Sequence, residues 1–159
     1  MNIVEKADAF ACAAHAAVKQ VRKYSGEPYI NHPREVREIL LKYAEGPVSL
    51  EQEAAALLHD VIEDTGVEQD LILKEFGEEV SLLVEGLTDI SKPEDGNRKV
   101  RKQLDLDHTA AAPARTKSIK LADMISNSRS IVTGDPNFAR VYLHEKSRIL
   151  EVCGDADQG

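Results

Sequence analysis

"LLHDVIEDTG", residues 57–66, begins as an apolar helix and then places His59, Asp60, Glu63 and Asp64 within about a turn and a half. Three carboxylates and an imidazole so close together repel one another, or lose hydration at a cost, unless something compensates them. Packing alone supplies no reason for them. What surrounds them is nevertheless helical: Ala54, Ala55, Leu57 and Leu58 precede the polar group, and Val61 and Ile62 follow it. Ser49 with Gln52 forms a capping-box signal, so the spacing predicts a helix from Ser49 to about Ile62.

The same helical period recurs on both sides. Upstream, Ile3, Ala7, Phe10, Ala14, Val18 and Val21 form one stripe, predicting a helix over about 2–21 with an Asn2–Glu5 capping signal. Ser25, Gly26 and Pro28 break the pattern in the loop 22–33. Pro33 then suits the first position of a helix carrying Val36, Ile39, Leu40 and Tyr43, which Gly46 and Pro47 stop. Downstream, helices are expected at about 68–76 and from 78, where Val80, Leu83, Val84 and Leu87 repeat. A turn-rich break at 91–97 precedes the basic run RKVRK at 98–102. A long helix follows Pro113 and ends at Gly134. Asp135 and Pro136 start the last one, whose apolar residues include Phe138, Val141, Ile149 and Leu150. The tail GDADQG, residues 154–159, carries no packing signal. No strand pattern, repeat or linker emerges, so one all-α helical domain over 1–153 is expected.

Composition agrees. The 159 residues are 42% hydrophobic and 30% charged, with 4% aromatics and no Trp, a globular and helix-favouring mixture. No run approaches the roughly 18 apolar residues of a membrane span, and the N-terminus lacks the basic region of a secretory signal. Cys12 and Cys153 read as reduced thiols, which implies a cytoplasmic protein. A formal charge of −8 disfavours nucleic acid as a partner. A small anionic ligand stays compatible with that charge if the basic residues meeting it are local.

The polar exceptions define the chemistry. His59 and Asp60 interrupt an apolar helix, Asp123 interrupts IKLADMI, and His32 ends the loop just before a helix. Taken singly, each has an ordinary explanation: a satisfied core histidine, a helix cap, a solvated helix end. Together they make a mixed nitrogen and oxygen donor set for one divalent metal, with manganese, iron and magnesium as candidates; the two imidazoles argue against plain magnesium. Glu63 and Asp64 lie one turn beyond His59 and Asp60, placed to orient or deprotonate an attacking water. Asn127 lies one turn beyond Asp123.

Longer strings carry a resemblance. SGEPYINHP at 25–33, AALLHDVIEDTG at 55–66, FGEEVSLLVEGLTDIS at 76–91 and IKLADMISNSRSI at 119–131 are similar to the hydrolase domain of RelA/SpoT homologues, within the HD superfamily of metal-dependent phosphohydrolases. The resemblance covers residues 3–152. With no room for a synthetase domain, it points to the stand-alone small alarmone hydrolases of the metazoan SpoT-homologue type. It implies an HD-fold helical bundle and a small-molecule nucleotide substrate. It implies Mn2+ held by His32, His59, Asp60 and Asp123, with Glu63 and Asp64 acting on the water. It also implies Arg22, Lys23, Asn127 and Tyr142 as substrate contacts. The implied reaction removes the 3′-pyrophosphate of ppGpp or pppGpp. An adenine alarmone such as (p)ppApp, and a non-catalytic nucleotide-binding regulator, are the competing readings; oligomeric state is left open. Lys92, Arg98 and Lys102 are further candidates for phosphate contact, with a solvated basic helix face as the alternative for the 98–102 run. One departure stands out: Tyr24 lies between the basic pair and SGEPYI, where it either stacks on a purine or covers the loop.

Overall fold

The computed structural model describes residues 1–44 and 46–153, and the side chains of all of these except 145 and 146; the predicted tail 154–159 lies outside them. Among the described residues the chain forms α1 (Ile3–Ala17), α2 (Asn31–Tyr43), α3 (Leu50–Leu58), α4 (Val61–Thr65) and α5 (Gln69–Phe76). After these come α6 (Glu78–Leu87), a 3-10 turn (Pro93–Asp95), α7 (Arg98–Ala110), α8 (Ala114–Gly134) and α9 (Pro136–Val152). The all-α expectation holds.

The middle of the bundle is α3. It packs against α1, α2, α6 and α8, and every residue from Gln52 to Leu58 is buried. A helix surrounded on all sides has to be small or apolar throughout. Ala54, Ala55 and Ala56 are fully inaccessible and let the neighbours approach closely, while Leu57 and Leu58 fill the remaining space. Burying each such leucine is worth about 1.5–3 kcal/mol. The two polar members are satisfied: Gln52 donates to the Arg115 carbonyl at 3.3 Å, and Glu53 pairs with Arg37 at 2.8 Å.

The helix expected to continue to Ile62 breaks instead. It stops at Leu58, and α4 begins at Val61, with Asp60 at φ −102°, ψ −2° between them. The ring of His59 explains the stop: its Nδ1–H donates to the Ala56 carbonyl at 2.6 Å, inside the last turn of α3. Consecutive residues of an unbroken helix point about 100° apart. The break lets His59 and Asp60 both face α8.

Other boundaries also move. α1 ends at Ala17 rather than near 21, because Lys19 takes a left-handed φ of 55°. Val18 and Val21 are therefore exposed, and the buried face is Val4, Ala7, Ala11 and His15. Val21 bridges to Pro28, which closes the 22–27 loop on itself. Pro33 sits third in α2, not first. The basic run opens a full helix, α7, with the Asn97 side chain accepting from Val100 N at 3.1 Å. In α9, Val141 and Leu150 are exposed, whereas Ala139 and Tyr142 are buried. α9 starts as expected, with Asp135 accepting from Phe138 N and Pro136 in the first turn. Neither Cys12 nor Cys153 is in a disulfide. No helix among the described residues is long and apolar enough to cross a membrane.

Both halves of the Ser49–Gln52 capping box form, each at 3.1 Å. Ser49→Ala should lower stability by about 1 kcal/mol, the usual cost of a lost N-cap, read from the shift in urea midpoint at unchanged slope.

Candidate active site

His32 from α2, His59 and Asp60 from the α3–α4 break, and Asp123 from α8 converge so that one ligand atom of each lies within 4.8 Å of the others. Both imidazole Nε2 atoms face Asp123 Oδ1, at 3.0 Å from His32 and 3.2 Å from His59. They also face Asp60 Oδ2, at 3.5 and 3.0 Å. The opposite nitrogens are anchored, His59 Nδ1 on the Ala56 carbonyl and His32 Nδ1 against Ser126 Oγ at 2.9 Å. Anchoring the far nitrogen fixes which nitrogen is presented to a cation. Two imidazoles and two carboxylates aimed at one point are a donor set fitted to one divalent transition metal.

The electrostatics agree. Burial opposes charge on His59, but Asp60 and Asp123 outweigh it and raise its pKa well above the usual imidazole value. Burial likewise opposes ionisation of Asp60 and Asp123; His59 overcomes it in both, with His32 and Lys120 also holding Asp123 well down. The carboxylates are thus held ionised, as a cation site needs.

Around this cluster lie groups that spacing alone does not single out. Tyr29 donates its hydroxyl to Asp60 Oδ2 at 2.5 Å. Burial, reinforced by Asp60, raises its pKa and keeps the phenol protonated. Gln20 accepts from His15 Nδ1 at 2.8 Å and donates to Asp64 Oδ2 at 3.1 Å, so a buried histidine sets the amide that holds Asp64. His15 is therefore a packing residue with a hydrogen-bonding task. Glu63 accepts from Asp89 N at 2.5 Å, with Lys120 nearby in charge contact. Burial and the Asp89 and Asp60 carboxylates push Glu63 up to about 7. Asp64 is raised too, by burial and Asp60, against the Gln20 bond.

His32 also lines a cavity of about 330 Å3. Arg22, Lys23, Asn127 and Tyr142 line the same cavity, together with Arg98, Lys102 and Phe138. Asn127 Nδ2 donates to Asp123 Oδ1 at 3.1 Å. Tyr142 lies 6.5 Å from Phe138, ring centre to ring centre. Arg22 is held by its backbone N on the Glu27 carbonyl at 2.8 Å, and its Nη1 is buried without a hydrogen-bond partner. Tyr24 lines this cavity too: its ring also lies over Gly134, where an added Cβ would collide with it, while Lys23 Nζ sits 5.4 Å from its centre. The Lys92 side chain is absent from this lining.

Glu63 should titrate near neutrality in metal-free protein, protonated below about pH 7 and ionised above it. Asp89→Asn removes one of the charges that raise it and should lower that midpoint. Carboxyl carbon shifts followed by NMR across pH 4 to 9 check both statements.

Comparison with known proteins agrees with the geometry. The family model described as "HD domain" matches residues 7–149. The Drosophila melanogaster guanosine-3′,5′-bis(diphosphate) 3′-pyrophosphohydrolase MESH1 is 38% identical over 133 residues, 79% of this chain and 70% of that protein. A protein of the same enzyme name from Aquifex aeolicus is 38% identical over 128 residues, 80% of this chain but 18% of its own length. Like it, the other leading curated relatives are much longer, and this chain spans 16% of the Mycobacterium leprae probable GTP pyrophosphokinase. A solved structure described as a metazoan ortholog of SpoT that hydrolyzes ppGpp superposes with a TM-score of 0.85 at 28% identity, covering 99% of this chain and 88% of that one. The chain belongs to the HD domain family.

Proposed function

We propose that this chain is a metal-dependent hydrolase that removes the 3′-pyrophosphate from guanosine alarmones, converting ppGpp or pppGpp to GDP or GTP and pyrophosphate. One observation carries the reading: a two-histidine, two-carboxylate cluster adjoins a cavity lined by Arg22, Lys23, Lys102 and Asn127. Such a cavity suits a compact polyanion, and it gathers positive charge in a chain whose formal charge is −8. The activity named for the Drosophila relative and for the SpoT ortholog supports the same substrate.

His32, His59, Asp60 and Asp123 would hold the cation; the two imidazoles and two carboxylates point to a divalent transition metal, and the resemblance to RelA/SpoT-type hydrolases makes Mn2+ the ion proposed. When bound, the cation supplies Lewis acidity, lowering the pKa of an attacking water and neutralising phosphate charge. The reaction joins the water oxygen to the phosphorus attached at O3′ and breaks the P–O3′ bond. One water is consumed, and the products are a ribose 3′-hydroxyl and pyrophosphate. Glu63 takes one proton from the water, which Asp64 helps to orient, and passes it to O3′ as the P–O3′ bond breaks. The Glu63 pKa, pushed up to about 7, suits proton transfer near neutral pH, and the Gln20 amide and Asp89 N fix the orientation of Asp64 and Glu63. Arg22 and Lys23 neutralise the phosphates, and Asn127 orients the ribose and phosphate beside Asp123. Phe138 and Tyr142 offer aromatic surface to the base.

Purified protein supplied with ppGpp, ppApp or ordinary nucleoside diphosphates should release pyrophosphate from ppGpp with Mn2+ and none with EDTA. Release from ppApp alone would reassign the purine, and no release from any of these would overturn the reading. Asp60→Ala and Asp123→Ala should lose Mn2+ binding by calorimetry together with turnover. Glu63→Ala should keep the metal and lower kcat by about 10²-fold or more, the usual scale for a general acid–base group. Arg22→Ala should act mainly on KM.

A further inference from the structure

The cavity continues past Arg98 and Lys102. Both side chains also line a second groove of about 460 Å3 between α7 and α9, which Lys99 and Arg148 line as well, with Leu106 and Val141 as apolar members. The two spaces therefore meet at a shared pair of cations. His32 lines the first space and is absent from the lining of the second, so the groove lies beyond the cavity as seen from the histidine–carboxylate cluster.

Among the described residues the groove lining holds Arg98, Lys99, Lys102 and Arg148 and no carboxylate. Some cations of this acidic chain sit against carboxylates: Arg34 on Asp8 and Arg37 on Glu53, each at 2.8 Å, and Arg115 on Glu79 at 2.6 Å. Lys6 does the same with Glu75 at 3.1 Å, and Arg129 with Glu35 at 3.6 Å. Among the described residues, Lys99, Lys102 and Arg148 have no carboxylate partner; Arg148 bonds the neutral amide of Gln103. With 28 acidic and 20 basic residues, segregated cations are not what composition alone supplies. Several cations on one wall leave a standing demand for an anion.

We propose that this groove is a subsite for the 5′-polyphosphate of the substrate. The assignment rests on the reading that the 3′-pyrophosphate binds at the histidine–carboxylate cluster. With the 3′ group there, the ribose lies in the cavity and the 5′ carbon leads toward the opposite end, where Arg98 and Lys102 open onto the groove. Each further 5′-phosphate extends the chain past that pair toward Lys99 and Arg148. The groove thereby makes the enzyme read the length of the 5′ arm. Because Arg98, Lys99 and Arg148 are exposed, the preference weakens as salt rises.

The test measures kcat/KM for guanosine 3′-diphosphates carrying one, two or three 5′-phosphates, in the intact chain and in Lys99→Gln/Arg148→Gln. Both positions are exposed and outside the catalytic cavity, and circular dichroism verifies the fold of the variant. The intact chain should favour the longer arm, through KM, and the preference should fade at high salt. The double variant should lose roughly fivefold to tenfold on the triphosphate, the scale of two exposed charge pairs, and nothing on the 5′-monophosphate. Equal kcat/KM across the three substrates in the intact chain, or an equal loss on all three in the variant, overturns the subsite.

A second readout needs no turnover. Inorganic tripolyphosphate added to metal-free protein should shift the Val141 and Leu106 methyl resonances, and the double variant should abolish the shift. Unshifted methyls overturn the subsite. Shifted methyls with no pyrophosphate released from any alarmone would overturn the proposed reaction, and with it the 5′ assignment, while showing that the groove binds polyphosphate.

Discussion

Two carboxylates and two imidazoles cannot share a pocket a few ångströms across in a helical core without a positive charge among them. In the bare protein a protonated His59 meets that need, which is why its pKa rises while those of Asp60 and Asp123 fall. A divalent cation answers it better and leaves both imidazoles neutral as donors. The architecture follows from this demand. An all-alanine stretch in α3 lets the bundle close tightly around the cluster, the α3–α4 break aims two adjacent residues the same way, and the long α8 brings Asp123 across.

The fold was largely legible because its signals are local. Helical periodicity, the Ser49–Gln52 box and the Asp135–Pro136 start each act within a few residues, and the structure contains all three. What could not be read is what tertiary contact decides. The end of α3 depends on a side chain capturing the Ala56 carbonyl, and the end of α1 depends on Lys19 accepting a left-handed φ, which its residue type does not advertise. In α9, residue type does not tell inside from outside: the apolar Val141 and Leu150 face solvent while Tyr142 is buried.

The same division runs through the site. His32, His59, Asp60 and Asp123 could be noticed as polar residues at apolar positions, and the structure brings those four together. Arg22, Lys23, Asn127 and Tyr142 were named only through resemblance, and they line one cavity. Gln20, Tyr29 and Asp89 are unremarkable in their own segments and gain meaning from partners 26 to 44 residues away, while Lys120 matters through Asp123 on its own helix and Asp89 and Glu63 beyond it. The Asn97 cap is a signal that could have announced α7 and, with it, the Arg98 and Lys102 wall of the cavity.

α8 and α9 meet at a single non-helical residue, Asp135, which caps the second helix while ending the first. α8 carries Asp123 and Asn127, and α9 carries Phe138 and Tyr142. One joint thus sets the span between the reacting end of the cavity and its aromatic end, as the rivet of a caliper sets its gape. With Tyr24 wedged over Gly134 beside that rivet, the gape is braced from the loop that also carries Arg22 and Lys23. A chain built this way can retune the size of ligand it grips by changing two or three residues at the joint, leaving every group that handles the phosphate untouched.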